Sequence, residues 1–348
     1  MRSEDRGKTS SFLISMCGLQ LFSGSVSMLT RKMTPSRKFR ATLKYIKTRL
    51  QRRPLLVNLE VTKFCNAACD FCDYWQTKKS PKLDDYVAVV QKINPMMVSL
   101  TGGEPMLRKD LPNVIRNLRD HFGFLYIGMV THGQLLTMEK AKALWDAGLD
   151  QLSISMNYLG PKHDEERGLP GLFDHLSKLI PRLKEVEVDN VVLNTVIKDD
   201  NLDHIPNLIR QAHAWGIRIS FSSYTALKNG NEVHMVRAEQ MEKLRATIEE
   251  IRALKRRYRN VVSSQYYLSM VPKYFEQGYL EGCKAGKSFI QVTPDGHLKV
   301  CPEMPVIGHY SEYRRQKEDV TCTKCWYSCR GESQAPFSPQ RFWELVRG

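Results

Sequence analysis

The chemistry of this chain is concentrated in its cysteines. Cys65, Cys69 and Cys72 stand three and two residues apart, directly after an apolar run at 55–61. Three thiolates on one short loop can ligate three irons of a [4Fe–4S] cube and leave the fourth iron open to a reactant. Structural zinc takes four ligands, usually as two separated pairs, and the next cysteine here, Cys283, is far along the chain. Five of the nine cysteines crowd near the C-terminus: Cys283, Cys301, Cys322, Cys325 and Cys329. Apolar runs at 288–292 and 297–300 flank Thr293-Pro294-Asp295-Gly296, a strong turn signal. A hairpin there returns Cys283 and Cys301 to one edge, where the Cys322/Cys325 pair can join them. A four-thiolate zinc knuckle and an iron–sulfur cube both suit such a set.

These residues need elements to position them. Short runs rich in Val, Ile and Leu at 56–62, 97–101, 126–131, 151–157, 191–197 and 217–222 read as strands. Helical patterns at 111–120, 139–147 and 202–215 lie between them, and a longer one spans 237–259. Six successive βα units imply an α/β fold with a parallel sheet curled into a partial barrel. Chemistry then gathers at the carboxyl ends of the strands. The expected organisation is a leader at 1–30, a basic helix at 31–53, a barrel at 54–235, a helical connector at 236–280 and a Cys-rich domain at 281–348.

The cysteine loop resembles the CxxxCxxC signature of the radical S-adenosylmethionine (SAM) superfamily, with Phe71 at the aromatic position before the last Cys. The resemblance continues in order. Thr101-Gly102-Gly103-Glu104-Pro105 matches the family's GGEP segment, and Thr131-His132-Gly133 stands where relatives carry TNG. Ser153 to Asn157, then His163-Asp164-Glu165-Glu166-Arg167-Gly168, and Asn194 to Ile197 complete the series. The C-terminal cysteines resemble the auxiliary-cluster domain called twitch, or a reduced SPASM domain.

The resemblance implies a partial (β/α)6 barrel. It implies a [4Fe–4S] cluster on Cys65, Cys69 and Cys72, with SAM on its open iron. It further implies reductive cleavage of SAM to a 5′-deoxyadenosyl radical that abstracts hydrogen from a substrate. Flavodoxin or ferredoxin is the expected electron donor. Gly102 and Gly103 would let backbone approach the methionine end of SAM, and Glu104 would contact its ammonium directly or through backbone positioning. Phe71 would lie near the adenine, Ser155 and Asn157 near the ribose, and Asn194 near the methionine or ribose end. A second, auxiliary [4Fe–4S] cluster would take Cys283, Cys301, Cys322 and Cys325, with Cys329 replacing one of them or remaining free. His132 could act as a base but equally occupies a loop-bonding position. Tyr266, Tyr267, Tyr274 and Tyr279 read as core before they read as a substrate cavity.

Charge is the other strong signal. Residues 31–53 hold ten Lys or Arg and no Asp or Glu, so this stretch carries most of the net charge of +15. Within it Phe39, Leu43, Ile46 and Leu50 form one apolar stripe at helical spacing. A basic amphipathic helix reads as an element for an anionic membrane surface, or as one that packs its stripe on the barrel. One such helix without a recognised RNA-binding module argues poorly for nucleic acid. The first thirty residues, with Cys17 alone among them, lack a clear signal-peptide cleavage site and read as a disordered leader, with Met28 or Met33 as alternative starts. Nine cysteines without a secretory context indicate a reducing, cytoplasmic compartment, with peripheral attachment to the membrane's inner face. The expected substrate is a lipid or lipid-linked molecule, with a ribosomal peptide or a soluble carbohydrate or alcohol as alternatives.

Overall fold

The computed structural model describes residues 34–316 and 319–336. The leader, Cys17 and the end of the expected C-terminal domain lie outside the described residues. The first element, α1 (Pro35–Leu50), is capped by Thr34, whose hydroxyl accepts from Arg37 N. It is followed by β1 (Leu56–Thr62), β2 (Met97–Gly102), β3 (Tyr126–Thr131), β4 (Gln151–Ser155), β5 (Val191–Ile197) and β6 (Arg218–Ser223), each parallel to its predecessor. Six helices lie between these strands: α2 (Tyr86–Ile93), α3 (Leu111–His121), α4 (Met138–Asp146), α5 (Pro161–Arg167), α6 (Leu172–Leu179) and α7 (Ile205–Ala214). The long helix of the sequence pattern is α8 (Met241–Tyr258), and α9 (Gln265–Gln277) follows it.

The six βα strands form the expected partial barrel, and the sheet continues beyond them. The turn at 293–296 does join a hairpin of β7 (Phe289–Val292) and β8 (His297–Lys299), extended by β9 (Val306–His309). However, β7 also pairs in parallel with β1, so the sheet runs β6-β5-β4-β3-β2-β1-β7-β8-β9. The last described helix, α10 (Ser328–Gln334), packs on both β6, one edge of the sheet, and β7, and so spans the barrel's lateral gap. Ser328 N donates to Ser222 Oγ on β6. Cys329, in the same helix, packs with Phe289 of β7.

The two faces of the strands differ in chemistry. Val57, Leu59, Val98, Leu100, Ile127, Met129, Leu152, Ile154, Leu193, Ile219 and Phe221 are fully buried against the surrounding helices. The alternate positions face inward. Asn58, Ser99, Thr101, Ser155, Asn194, Ser220 and Ser222 are among them, and each is half-buried rather than closed off. Val130 and Val196 share this face and are half-buried too, so the interior offers polar groups with some apolar surface between them.

At the foot, α1 crosses the amino-terminal ends of the strands. Its Ala41 packs on Phe124 and Tyr126 with Met96 and Met97. The buried carboxylate of Asp150 pairs with Arg37 of α1 at 2.6 Å and with Arg119 of α3 at 2.5 Å, and accepts from Ile127 N at 2.9 Å.

Candidate active site

The cysteine loop begins where β1 ends and is tied down on three sides. Ala68 N donates to Arg167 O at 2.7 Å. Asn229 Nδ2 and Asn231 Nδ2 donate to Asp70 O, and His234 Nε2 meets Asp70 Oδ2 at 2.8 Å. The third tie is His132, whose Nε2 lies 3.0 Å from Asn66 Oδ1. Cys69 is buried, while Cys65 and Cys72 are half-buried. Burial pushes all three thiols above their ordinary pKa, Cys69 to about 11 although the Arg167 guanidinium beside it acts the other way. Arg167 Nη1 donates to Cys69 Sγ at 3.7 Å. Such thiols stay protonated near neutrality unless a metal replaces the proton.

Gly102 and Gly103 are glycines because of β1. Gly102 has φ +128°, and a Cβ there would lie 2.1 Å from Thr62 O; a Cβ on Gly103 would lie 2.0 Å from Phe64 O. No side chain fits between these two stretches of backbone. Glu104 is 1% exposed. Its carboxylate accepts from Met106 N at 2.9 Å, Thr131 Oγ1 at 2.7 Å and His132 N at 2.9 Å. These bonds fix the carboxylate against the loop that follows β3, as its expected role in backbone positioning requires.

His132 is neutral. Its Nδ1 accepts from Gln134 N, which places the proton on Nε2, facing Asn66 and Glu104. Burial, helped by Arg167, lowers its pKa to about 3. A group with that pKa cannot take up a proton near neutrality, so His132 positions the cysteine loop rather than serving as a base.

The expected ribose contacts separate. Asn157 is fully buried. Its amide nitrogen donates to the Glu166 carboxylate (3.0 and 2.9 Å to the two oxygens), and its oxygen accepts from Val196 N at 2.9 Å. The side chain is thus turned into the protein and not toward the interior where the expected ribose contact would be. β4 ends at Ser155, two residues earlier than the apolar pattern suggests. Ser155 and Asn194 are register partners on the open inner wall, and Asn194 Oδ1 accepts from Ser220. Phe71 sits edge-on to Tyr224 (6.5 Å) and His234 (6.4 Å), with Lys198 Nζ 5.5 Å from its ring centre.

Sequence reasoning missed the charges around Phe71. Lys198, 1% exposed, pairs with Glu166 and lies 3.6 Å from Asp200. A cleft of about 250 Å³ lies over this group, lined among others by Ala68, Asp70, Tyr158, Lys198 and His234. Glu166 belongs to a stretch already singled out, and its HDxxRG spacing was the available signal. Lys198 had none, because only the turn after β5 brings it to Glu166.

The C-terminal cysteines also regroup. Cys325, Cys301 and Cys283 all lie close enough to Cys329 to raise its thiol pKa further beyond the effect of burial. Cys283, Cys301 and Cys329 share one apolar cluster with Phe289 and Val300. Cys322 lies close enough to Cys283 to act on its thiol as well. All five cysteines therefore belong to this region, and Cys329 stands beside the expected set of Cys283, Cys301, Cys322 and Cys325. Among the described residues, no three cysteine sulfurs lie within 4.8 Å of one another. Thiolates about 2.3 Å from one zinc ion would be closer than that. The tyrosines expected as core hold this region in place. Tyr267 stacks on Trp326 (5.8 Å, 3°), Trp326 Nε1 donates to Tyr267 O, and Tyr274 Oη donates to Lys324 O. Tyr279 is exposed.

Comparison with known proteins now decides the family. Residues 59–212 match the model of the Radical SAM superfamily. A probable GTP 3′,8-cyclase of Sulfurisphaera tokodaii is 31% identical over 264 residues, covering 70% of this chain and 80% of that protein. The chain belongs to the radical SAM superfamily. An AdoMet-dependent heme synthase of Oleidesulfovibrio alaskensis is 28% identical over 320 residues, 78% of this chain and 80% of the relative. Streptococcus suis SuiB, solved with the precursor peptide SuiA, shares the fold at a TM-score of 0.59 and 15% identity, over 83% of this chain and 71% of that one. This radical SAM protein is therefore an enzyme that uses SAM and a [4Fe–4S] cluster. The loop carrying Cys65, Cys69 and Cys72 fits that cluster: three thiols on one loop, one buried and two half-buried, one beside an arginine, with protons for a metal to displace. Among the described residues no helix is long and apolar enough to cross a membrane.

Proposed function

We propose that this enzyme holds a small polar substrate, rich in hydroxyl or amide groups, inside the barrel and abstracts a hydrogen atom from it. The inner wall carries the reading. Asn58, Ser99, Thr101, Ser155, Asn194, Ser220 and Ser222 present hydrogen-bonding groups to an open interior. An acyl chain along this wall would lie against hydrogen-bonding groups that it cannot pair. This favours the soluble alternative over the lipid substrate expected from the basic helix. The two relatives are named for GTP and for heme, so kinship alone does not choose among substrates.

Cys65, Cys69 and Cys72 hold the catalytic cluster in this reading, and Phe71, Ser155, Asn194 and the backbone at Gly102 and Gly103 line the SAM site. When bound, the cluster supplies the electron that cleaves the sulfonium of SAM to a 5′-deoxyadenosyl radical. The protein's part is to fix the loop through Arg167, His132 and Asp70, and to exclude water. Cys283, Cys301, Cys325 and Cys329 hold an auxiliary [4Fe–4S] cluster at the barrel's lateral gap, placed to take an electron from a substrate in the interior.

Deuterium transfer tests this. Cell extract grown on deuterated carbon source is separated into small polar metabolites, peptides and lipids, and each is offered to reduced enzyme with unlabelled SAM. Label in 5′-deoxyadenosine should come from the polar metabolites. Transfer confined to lipids would overturn the reading, and transfer confined to peptides would replace it with peptide maturation.

A further inference from the structure

The foot of the barrel, opposite the cysteine loop, carries a second feature. The apolar stripe of α1 does not pack on the barrel. Phe39, Leu43, Ile46 and Leu50 are 57, 50, 48 and 79% exposed, whereas the face that packs is Ala41 and Thr48. On a helical projection the exposed Arg40 and Lys47 flank the stripe on one side and Arg49 on the other.

Just past the end of α1 lies a cleft of about 650 Å³, lined by Gln51, Arg53, Lys92, Tyr313, Arg314 and Arg315. Four of these six are cations and none is acidic. Among the described residues, none of the four is joined to a carboxylate. Two are held in place by backbone: Arg53 Nη1 donates to Lys92 O and Ile93 O, and Arg315 Nη1 donates to Gln51 O. Tyr313 is 8% exposed, and among the described residues its buried hydroxyl has no hydrogen-bond partner. A buried hydroxyl is normally satisfied, so this one leaves a donor for an acceptor in the cleft. Cations that no described carboxylate neutralises, beside such a donor, suit a phosphate group.

We propose that this cleft binds phosphate, and that the phosphate is the headgroup of an anionic phospholipid on a membrane surface. Leu50, the most exposed member of the stripe, adjoins Gln51 in the cleft wall. A headgroup in the cleft therefore has an apolar helix face beside it where its acyl chains continue. A soluble phosphate compound would have no use for that face. The proposal is independent of the substrate reading, because the cleft lies at the foot and the polar interior opens at the rim.

The experiment uses the cluster-loaded enzyme in flotation with two vesicle types, phosphatidylcholine alone and with about a third phosphatidylglycerol. Only the anionic vesicles should carry the protein, and added salt should release it. The double variant Lys92→Ala/Arg314→Ala should bind them about tenfold more weakly or worse. Leu43→Ser/Ile46→Ser and Tyr313→Phe should each weaken binding. All three variants should cleave SAM at the wild-type rate, which shows that they fold. Unchanged binding by Lys92→Ala/Arg314→Ala overturns the cleft as the site. Glycerol phosphate serves as the soluble probe. If it stabilises the wild type but not Lys92→Ala/Arg314→Ala while anionic vesicles are ignored, the lipid source is wrong. Binding of neither probe removes the proposal altogether.

Discussion

The two cysteine groups of this enzyme are built in opposite ways. Cys65, Cys69 and Cys72 come from one loop, and their relative placement follows from eight consecutive residues. Cys283, Cys301, Cys325 and Cys329 come from the lead-in to β7, the end of β8, the segment before α10 and α10 itself. As a proposed ligand set they depend on β7 joining β1 and on α10 packing on β6. Spacing specifies the first group, whereas tertiary structure specifies the second. The first should therefore fail by losing one ligand, and the second also by losing the packing that brings its ligands together.

The largest expected effect is at the rim. Cys69→Ala should abolish SAM cleavage and lower reconstituted iron from about eight to about four per chain, leaving the auxiliary cluster's spectrum intact. Loss of both clusters would mean that the two groups are not independent. The next effect separates Cys329 from Cys322. Cys329→Ala should remove the auxiliary iron and the turnover that depends on it, while Cys322→Ala should keep both. Electron paramagnetic resonance of the reduced proteins distinguishes them, and the opposite pattern would restore the ligand set suggested by the CxxC spacing.

The same division explains what the sequence made legible. Alternating apolar runs placed all six barrel strands within a residue or two, because burial against the outer helices imposes period two on them. The GGEP glycines were recognisable, but their reason was not: the backbone they accommodate, Thr62 to Phe64, belongs to another strand's end. Asn157 showed a polar residue at a strand end. Only the fold shows that Glu166 and Val196 N already occupy it. The stripe of α1 was correctly read as amphipathic, yet periodicity cannot say which face meets the protein. Ala41 and Thr48 do so, as Ala41 is small enough to approach Phe124 and Tyr126.

A buried ion pair near the rim offers a smaller test. Lys198 and Glu166 are 1 and 6% exposed, and Glu166 also accepts from Asn157 Nδ2 and has Arg167 Nη2 at 3.9 Å. Lys198→Met removes the nearer cation from a buried carboxylate and should destabilise the protein in urea unfolding, by less than about 3–5 kcal/mol, the cost of a pair left with no cation. Lys198→Met/Glu166→Gln should recover part of that loss, since the buried carboxylate is gone. Neither variant should alter the signal of the proposed auxiliary cluster. A change there would show that rim and gap are mechanically coupled.

The smallest effect is a pH dependence confined to the rim. His132 titrates at about 3 in the fold, against an ordinary 6.5, because burial and Arg167 disfavour its cation. Between those values the unfolded chain binds a proton that the folded chain does not. Stability from this residue is therefore complete above the unfolded pKa and is lost as pH falls through the window, at about 1.4 kcal/mol per unit. Lowering the pH from about 7 to about 5 should cost the wild type about 2 kcal/mol more than His132→Asn, whose amide can bond Asn66 without titrating. Urea unfolding of the cluster-free chain at the two pH values measures this difference. Equal slopes would mean that His132 is solvated in solution, and with it that the tie to Asn66 does not hold the cysteine loop.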